Sequence, residues 1–231
     1  MQKNYTAKLS LLILFMMSIS FFSKAQYCMP TYSNYCIGPG LADYIDNFST
    51  TGGITNITNN GTGCNGSAPN NYTYLSTMNV SQVQGLSFNV SMQSGPTYGQ
   101  GFRIWVDYNN DNDFADIGED VYASTASGTG VNTGSITIPM LTTPGVKRMR
   151  VLCRFAMIPA ITDYCGTGFA FGECEDYNLT VIAAAPCTGT PTAGTAVASV
   201  SNPCPGVNVG FSLTGSSFTG GLSYQWIQGT N

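Results

Sequence analysis

The densest group of potential metal ligands in the sequence lies between Asp107 and Glu119, in the run DYNNDNDFADIGE. The chain has no histidine and few charged residues, so carboxylates this close together repel one another strongly unless a cation lies among them. Oxygen ligands without histidine or cysteine favour calcium over zinc or copper. The sequence therefore predicts a calcium site, the alternative being an Asn-rich turn that binds no ion. The candidate ligands are Asp107, Asn109, Asp111, Asp113, Asp116 and Glu119.

The spacing of these residues follows the EF-hand template in its first half only. Asp107, Asn109 and Asp111 take positions one, three and five, and asparagine replaces the glycine of position six. The glutamate comes one residue late, at Glu119, and residues 102–108 alternate like a strand rather than a helix. We therefore expect an EF-hand-like calcium loop on a β-scaffold, with the ion in a structural role.

A second acidic group occurs near residue 175. Glu173 and Glu175 lie two apart, so on a strand they project to the same face, and paired carboxylates can hydrolyse glycosides. In the structural alternative, Glu175 and Asp176 accept backbone hydrogen bonds or help to hold an ion. We favour the structural role because no complementary acid, base or nucleophile accompanies these residues. The same role is predicted for Asp43 and Asp46.

The eight cysteines are predicted to form disulfides rather than to act in catalysis. Without histidine, the usual Ser/His and Cys/His arrangements are impossible, and an even number of cysteines in an exported chain is typical of disulfides. The sequence does not fix the connectivity. The pairings considered are Cys28 with Cys36, which is the most local, and Cys153 with Cys174, which leaves Cys64 with Cys165; Cys187 and Cys204 can pair with each other or with cysteines outside this sequence.

The N-terminus predicts export. Residues 1–25 have the basic start, the apolar stretch and the small-residue end of a secretory signal peptide, with cleavage expected before Gln26. No later segment is long and apolar enough to span a bilayer, so no membrane span is expected. Cleavage leaves five basic and twelve acidic residues, a net charge of −7 that repels nucleic acid. We expect a secreted or cell-surface protein.

The composition predicts an all-β fold. The chain is rich in Gly, Asn, Ser, Thr and Tyr, which suits short strands joined by turns. A small-residue, proline-containing linker begins after Val181 and places a domain boundary near Ala185. We therefore expect a jelly-roll-like β-sandwich over 26–185 and, over 186–231, the beginning of an immunoglobulin-like β-sandwich around Trp226. Strands are predicted at 72–80, 86–92, 102–108, 134–138, 147–155, 177–182, 197–200, 207–213 and 222–227.

One strand carries a pattern of its own. In the 147–155 strand, Met149, Val151 and Cys153 share one face, whereas three arginines and Leu152 share the other. The mixed face is predicted to be solvated.

Residues 27–182 resemble the GEVED domain, a module of secreted Bacteroidetes proteins. The matching segment is Gly172-Glu173-Cys174-Glu175-Asp176-Tyr177, with Cys174 where the family usually has valine. Further matches are Tyr27-Cys28, residues 43–47, the segment from Trp105 to Glu119, and residues 144–151. The resemblance implies a β-sandwich accessory or adhesive module on a large exported protein, often one that uses type IX secretion. Residues 186–231 are similar to the immunoglobulin-like repeats that often follow such modules.

Together these features predict a non-enzymatic, extracellular binding or adhesion module that calcium and disulfides stabilise. Its partner would be an extracellular protein or a carbohydrate. The alternative is the accessory N-terminal region of a secreted hydrolase, a protease or a glycosidase, whose catalytic domain would lie beyond Asn231.

Overall fold

The computed structural model describes residues 26–38, 41–66, 70–185 and 194–216, and the fold within these ranges is all-β, as predicted. The helical content of these residues is one 3₁₀ turn, Asp163–Cys165, and none of it has the length and apolar character needed to cross a membrane. The strands are β1 (Ile37–Gly38), β2 (Leu41–Ala42), β3 (Ile45–Thr51), β4 (Thr58–Asn60), β5 (Tyr72–Val83), β6 (Ser87–Ser94), β7 (Gln100–Asp107), β8 (Asp120–Ala123), β9 (Asn132–Thr137), β10 (Gly145–Phe155), β11 (Gly172–Ile182), β12 (Thr195–Ala198) and β13 (Phe211–Thr214).

Two sheets form the sandwich. The five-stranded sheet has the order β5-β11-β10-β7-β8, and the four-stranded sheet has the order β4-β3-β6-β9. All pairs are antiparallel except β5 with β11, which run parallel. β1 and β2, and likewise β12 and β13, form separate two-stranded sheets.

The central core lies between the two sheets. Alternate residues of β7 and β10 point inward because successive side chains of a strand project to opposite faces. They meet Phe48 of β3 and Phe88 of β6, all of them almost completely buried. Each such side chain contributes about 1.5–3 kcal/mol of burial free energy. The inward residues of β7 and β10 are Phe102, Ile104, Val106, Met149, Val151 and Cys153.

The other face of the five-stranded sheet is also covered, so the prediction of a solvated mixed face on the 147–155 strand is wrong. Arg150 and Leu152 are fully buried there, under residues 27–36 and the segment between β10 and β11. We call the apolar part of this region the outer cluster. Its buried members are Tyr32, Trp105, Phe114, Leu152, Phe169 and Cys174. A buried arginine is tolerated here because its donors are satisfied, as described below.

Several strand boundaries differ from those predicted. β11 begins at Gly172 rather than Tyr177, so the second acidic group lies inside a strand. β1, β2, β3, β4 and β8 were not predicted; in β3 and β4 the Asn and Thr residues resemble turns. β12 and β13 fall within or near the predicted 197–200 and 207–213 strands. The predicted signal peptide and the 222–227 strand lie outside the described residues, and the domain boundary near Ala185 stays a prediction.

Candidate functional site

The acidic loop, residues 107–119, connects β7 to β8. Asp107 is the last residue of β7, and its carboxylate accepts the backbone N–H groups of Asn110 at 2.6 Å and of Asn112 at 3.1 Å. Both asparagines have positive φ, 62° and 74°, which asparagine tolerates better than most residues. Asn109 and Asp111 each accept the N–H two residues ahead. These local hydrogen bonds from backbone N–H groups to side-chain oxygens form a series of tight turns.

The base of the acidic loop is buried. Asp107 and Glu119 are almost inaccessible, and the Glu119 carboxylate accepts the N–H groups of Tyr108 at 3.0 Å and of Asp116 at 3.3 Å. Burial, together with the charges of Asp107 and Asp111, raises the pKa of Glu119 to about 7. Keeping Glu119 ionised therefore costs free energy, and a bound cation would remove that cost.

The rim of the acidic loop is exposed to solvent. The Asn109 side-chain nitrogen donates to Asp111 at 3.0 Å and to Asp116 at 2.5 Å, so one amide lies between two carboxylates. Four ion pairs occur among the described residues, and none of them includes a carboxylate of this loop. The carboxylates of Asp111 and Asp116 are thus matched by amide donors rather than by a cationic side chain.

The carboxylates of the acidic loop are not gathered around one point. In the described part of the chain, three cysteine or carboxylate ligands come within 4.8 Å of one another only at Cys36, Cys64 and Glu173, and the two cysteines there form a disulfide. In the loop, the carboxylates of Asp111 and Asp116 both contact the Asn109 amide. Carboxylate and amide oxygens are the types of ligand that calcium prefers. The exposed rim side chains are the ones that would have to reorient to bind an ion.

Tyr27 is a residue of this site that the sequence did not single out. Its hydroxyl donates to Asp107 at 2.5 Å, and its ring lies 4.5 Å from the guanidinium carbon of Arg148. Burial and the bond to Asp107 raise the pKa of this tyrosine. The neighbouring Cys28 is bonded to Cys165, which fixes the N-terminal segment against the sheet. The only signal in the sequence was the Tyr27-Cys28 pair itself.

The second acidic group, Glu173, Glu175 and Asp176 of β11, is fully buried. The Glu173 carboxylate accepts three backbone N–H groups, from Ile45 at 2.8 Å, Asn65 at 2.6 Å and Gly66 at 3.0 Å. It therefore joins β11 to the start of β3 and to the 65–66 segment. Burial and the neighbouring charge of Glu175 raise its pKa.

Glu175 lies on the same face as Glu173, as the spacing predicted. It accepts hydrogen bonds from the Asn65 amide at 3.0 Å, from the Asn59 amide at 3.4 Å and from the Tyr177 hydroxyl at 2.5 Å. Burial raises the pKa of this carboxyl also. These three donors surround a carboxylate that is fully buried.

Asp176 projects to the opposite face, beneath the outer cluster. Arg150 binds it with two parallel hydrogen bonds of 2.8 Å, and Arg148 adds a third at 3.2 Å. The Tyr72 hydroxyl donates to the same carboxylate at 2.8 Å. Arg150 also donates to the carbonyl of Tyr164 at 2.6 Å, so a buried ion pair holds the covering segment in place.

Asp43 and Asp46 also lie in hydrogen-bonded positions. Asp43 is buried, which raises its pKa, and accepts the Gln100 amide at 2.7 Å. Asp46 accepts the backbone N–H of Gly63 at 3.1 Å. Neither of these hydrogen bonds involves a residue of the acidic loop.

The predicted pairings of Cys28 with Cys36, Cys153 with Cys174 and Cys64 with Cys165 are wrong, whereas Cys187 lies outside the described residues and its pairing stays a prediction. The structure joins Cys28 to Cys165 and Cys36 to Cys64, and Cys153 and Cys174 remain buried thiols. Cys153 and Cys174 lie on adjacent strands but are offset by one residue, because Cys153 faces Glu173 and Leu152 faces Cys174. Their side chains therefore point to opposite faces of the sheet, one into the central core and one into the outer cluster.

Among the concave surfaces, one borders the acidic loop. This cleft of about 470 Å³ is lined by Asn109, Asp116, Glu119 and Leu141, among others. Ile117 and Leu141 at its edge are almost fully exposed. Two further grooves, of about 570 and 430 Å³, lie against the four-stranded sheet and beside residues 77–79. Glu173, Glu175 and Asp176 line none of these three surfaces.

Residues 101–180 match the family model of the GEVED domain, which confirms the resemblance over that range. The matched range contains both the acidic loop and the β11 carboxylates. No curated protein matches the chain.

Proposed function

We propose that the chain is a non-catalytic, exported binding and adhesion module whose acidic loop binds a structural calcium ion. The observation that carries the proposal is the charge of that loop: five carboxylates lie within thirteen residues, and none pairs with an arginine or lysine in the described part of the chain. Buried carboxylates without a cation are costly, and a hard divalent ion removes that cost.

The ligands would come from the rim and the base of the loop together. Asn109, Asp111 and Asp116 already meet at one amide, and Glu119 lies beneath them with a raised pKa. With a dissociation constant of ~10⁻⁴ M, typical of extracellular modules, millimolar calcium would add about 1.4 kcal/mol to the free energy of unfolding. That is enough to order a loop.

The non-catalytic part of the proposal is supported by the β11 carboxylates. Glu173 and Glu175 would be the natural acid pair for glycoside hydrolysis, but both are fully buried, and each accepts several hydrogen bonds from protein groups. A general acid or base must come within hydrogen-bonding distance of its substrate. These two residues therefore support the fold rather than a reaction.

Export is supported by the two disulfides, which persist in oxidising compartments. Adhesion is supported by the cleft beside the acidic loop. It places the exposed apolar side chains of Ile117 and Leu141 next to carboxylates that calcium would bridge to an acidic or hydroxyl-rich partner.

The calcium site is tested by equilibrium dialysis with calcium. One ion per chain is expected in the parent, and Asp111→Asn should lose it. Asp163→Asn is the matched control, since Asp163 pairs with Arg154 far from the loop in sequence and should leave the stoichiometry at one. A parent chain that binds no calcium at millimolar concentration would refute the site.

The adhesive role is tested by screening the immobilised chain against glycan arrays and extracellular matrix proteins. Saturable binding is expected, and Ile117→Ser with Leu141→Ser should weaken it at least about tenfold while calcium stoichiometry is retained. Turnover of a glycan that Glu173→Gln abolishes would overturn the non-catalytic proposal.

A further inference from the structure

Strand β9 forms one edge of the four-stranded sheet and lacks the usual protection of an edge strand. Its six residues contain no charged side chain and no proline, and Thr133, Ser135 and Thr137 are exposed. Natural proteins shield such edges with lysine, proline, bulges or short length, because unpaired backbone groups bind other strands. β9 has none of these features.

The hydrogen bonds of Ile138, the residue that follows β9, show which backbone N–H and C=O groups of β9 point towards β6 and which point away. Ile138 donates its N–H to Leu86 and accepts the N–H of Gly85, so its polar groups point towards β6. Ile138 with Leu86 continues the register of Ile136 with Phe88 and Gly134 with Val90. In antiparallel pairs, residues two apart share the same direction. The N–H and C=O groups of Thr133, Ser135 and Thr137 therefore point away from the sheet.

The other three edges of the sandwich are protected. β4 has three residues, and β8 has four, with Asp120 held by Arg103. β5 changes register against β11 at Asn178, and a bridge from Thr55 to Ser81 covers its far end. Only β9 combines length, regularity and the absence of charge among the described strands of the two sheets.

We infer that β9 pairs antiparallel with the β9 strand of a second copy of this chain. Around a twofold axis at Ser135, Ser135 would face its own copy and Thr133 would face Thr137, giving about six inter-chain backbone hydrogen bonds. The pairing places no like charges opposite each other, although the chain as a whole is acidic. It joins two four-stranded sheets into one sheet of eight strands.

The composition of the paired strands favours a second copy over an extended segment of another protein. Every outward position of β9 carries a hydroxyl, and the twofold pairing sets hydroxyl against hydroxyl across the axis. A foreign strand would need pockets that hold its alternate side chains. The groove of about 570 Å³ next to β9 is lined by short side chains such as Asn89 and Ser91, which offer such a strand little to pack against. The inference does not depend on the calcium loop or on the proposed adhesive role.

The test is sedimentation equilibrium of the purified chain between about 10 μM and about 1 mM, a range that covers weak association. Cys204→Ser serves as the background, because Cys204 is an exposed thiol that could cross-link two chains. A monomer–dimer equilibrium is expected. Ser135→Lys should abolish the dimer by placing two ammonium groups at the axis, with an unchanged melting temperature as the check of folding. Asn89→Lys, which puts the same charge one strand inward, should keep the dimer.

Amide hydrogen exchange gives a readout that needs no variant of β9. In the concentrated sample, the amides of Thr133, Ser135 and Thr137 should exchange at least about tenfold more slowly than in the dilute sample, whereas those of Gly134 and Ile136 are protected in both. A chain that stays monomeric throughout overturns the inference. So does a dimer in which these three amides exchange as in the monomer, or one that Ser135→Lys leaves intact.

Discussion

The two acidic groups of this chain differ in how their charge is balanced. On β11, Glu173 is matched by three backbone N–H groups and Asp176 by two arginines and a tyrosine. In the acidic loop, Asp111 and Asp116 share one asparagine amide, and Glu119 is buried beneath them. The first group is complete within the protein, and the second has the composition of a cation site.

The difference indicates which cluster should respond to calcium. Carboxylates that already accept several charge-assisted or backbone hydrogen bonds gain little from an ion, and their role is to join segments that are distant in sequence. Carboxylates that are matched only by amides stay repulsive until a cation binds. The β11 group should therefore control stability, and the loop should control the response to calcium.

The largest effect is expected from Asp176→Asn. It leaves the buried Arg150 without its carboxylate, so the free energy of unfolding should fall by about 3–5 kcal/mol in both calcium and chelator. Urea denaturation measures this loss. The matched control is Asp120→Asn, which breaks the partly exposed pair with Arg103 and should cost less than about 1 kcal/mol. Equal losses in the two variants would contradict the role of the buried Arg150–Asp176 pair in holding the covering segment in place.

A smaller effect is expected from Glu173→Gln. Its amide carbonyl can still accept hydrogen bonds, but its NH₂ group would face the N–H donors that the second oxygen now accepts, so about 1–3 kcal/mol should be lost. Denaturation in urea with and without calcium provides the measurement. A loss that appears only in the presence of calcium would mean that Glu173 belongs with the ion site.

The pH dependence gives a further test of the β11 group, measured as the difference between parent and Glu173→Gln because the raised pKa of Glu119 lies in the same pH range. Burial raises the pKa of Glu173 and of Glu175 above the ordinary value of 4.5. The folded state therefore binds more protons than the unfolded state, and the stability this gives is present below about pH 4.5 and is lost as the pH rises through the raised values. In chelator, the free energy of unfolding should fall between pH 5 and pH 8. The fall should be smaller in Glu173→Gln, by on the order of 1 kcal/mol. If the free energy of unfolding fell equally with pH in the parent and in Glu173→Gln, the raised pKa of Glu173 would be excluded as the cause.

The sequence predicted the architecture well because its signals are local. Alternation in β7, β10 and β6 reports burial on one face, and the Asn-rich run after Asp107 reports a turn with positive φ. The prediction of shared orientation for Glu173 and Glu175 needed only the period of a strand.

The remaining features depend on contacts that no local pattern encodes. An arginine such as Arg150 is usually predicted to face solvent. Here it is buried because it donates hydrogen bonds to Asp176 and to the carbonyl of Tyr164, which come from other parts of the chain. The disulfide pairing failed for a similar reason, since a register offset of one residue separates Cys153 from Cys174. Tyr27 contacts Asp107 across 80 residues of sequence, a distance over which spacing carries no information.

The calcium site is tested most directly by the free energy of unfolding of three chains, the parent, Glu173→Gln and Asp111→Asn, each in millimolar calcium and in chelator. Calcium should add about 1.4 kcal/mol to the parent and to Glu173→Gln alike, and nothing measurable to Asp111→Asn. Equal stability of the parent in calcium and in chelator would contradict it, and so would a calcium response that Asp111→Asn retains and Glu173→Gln loses.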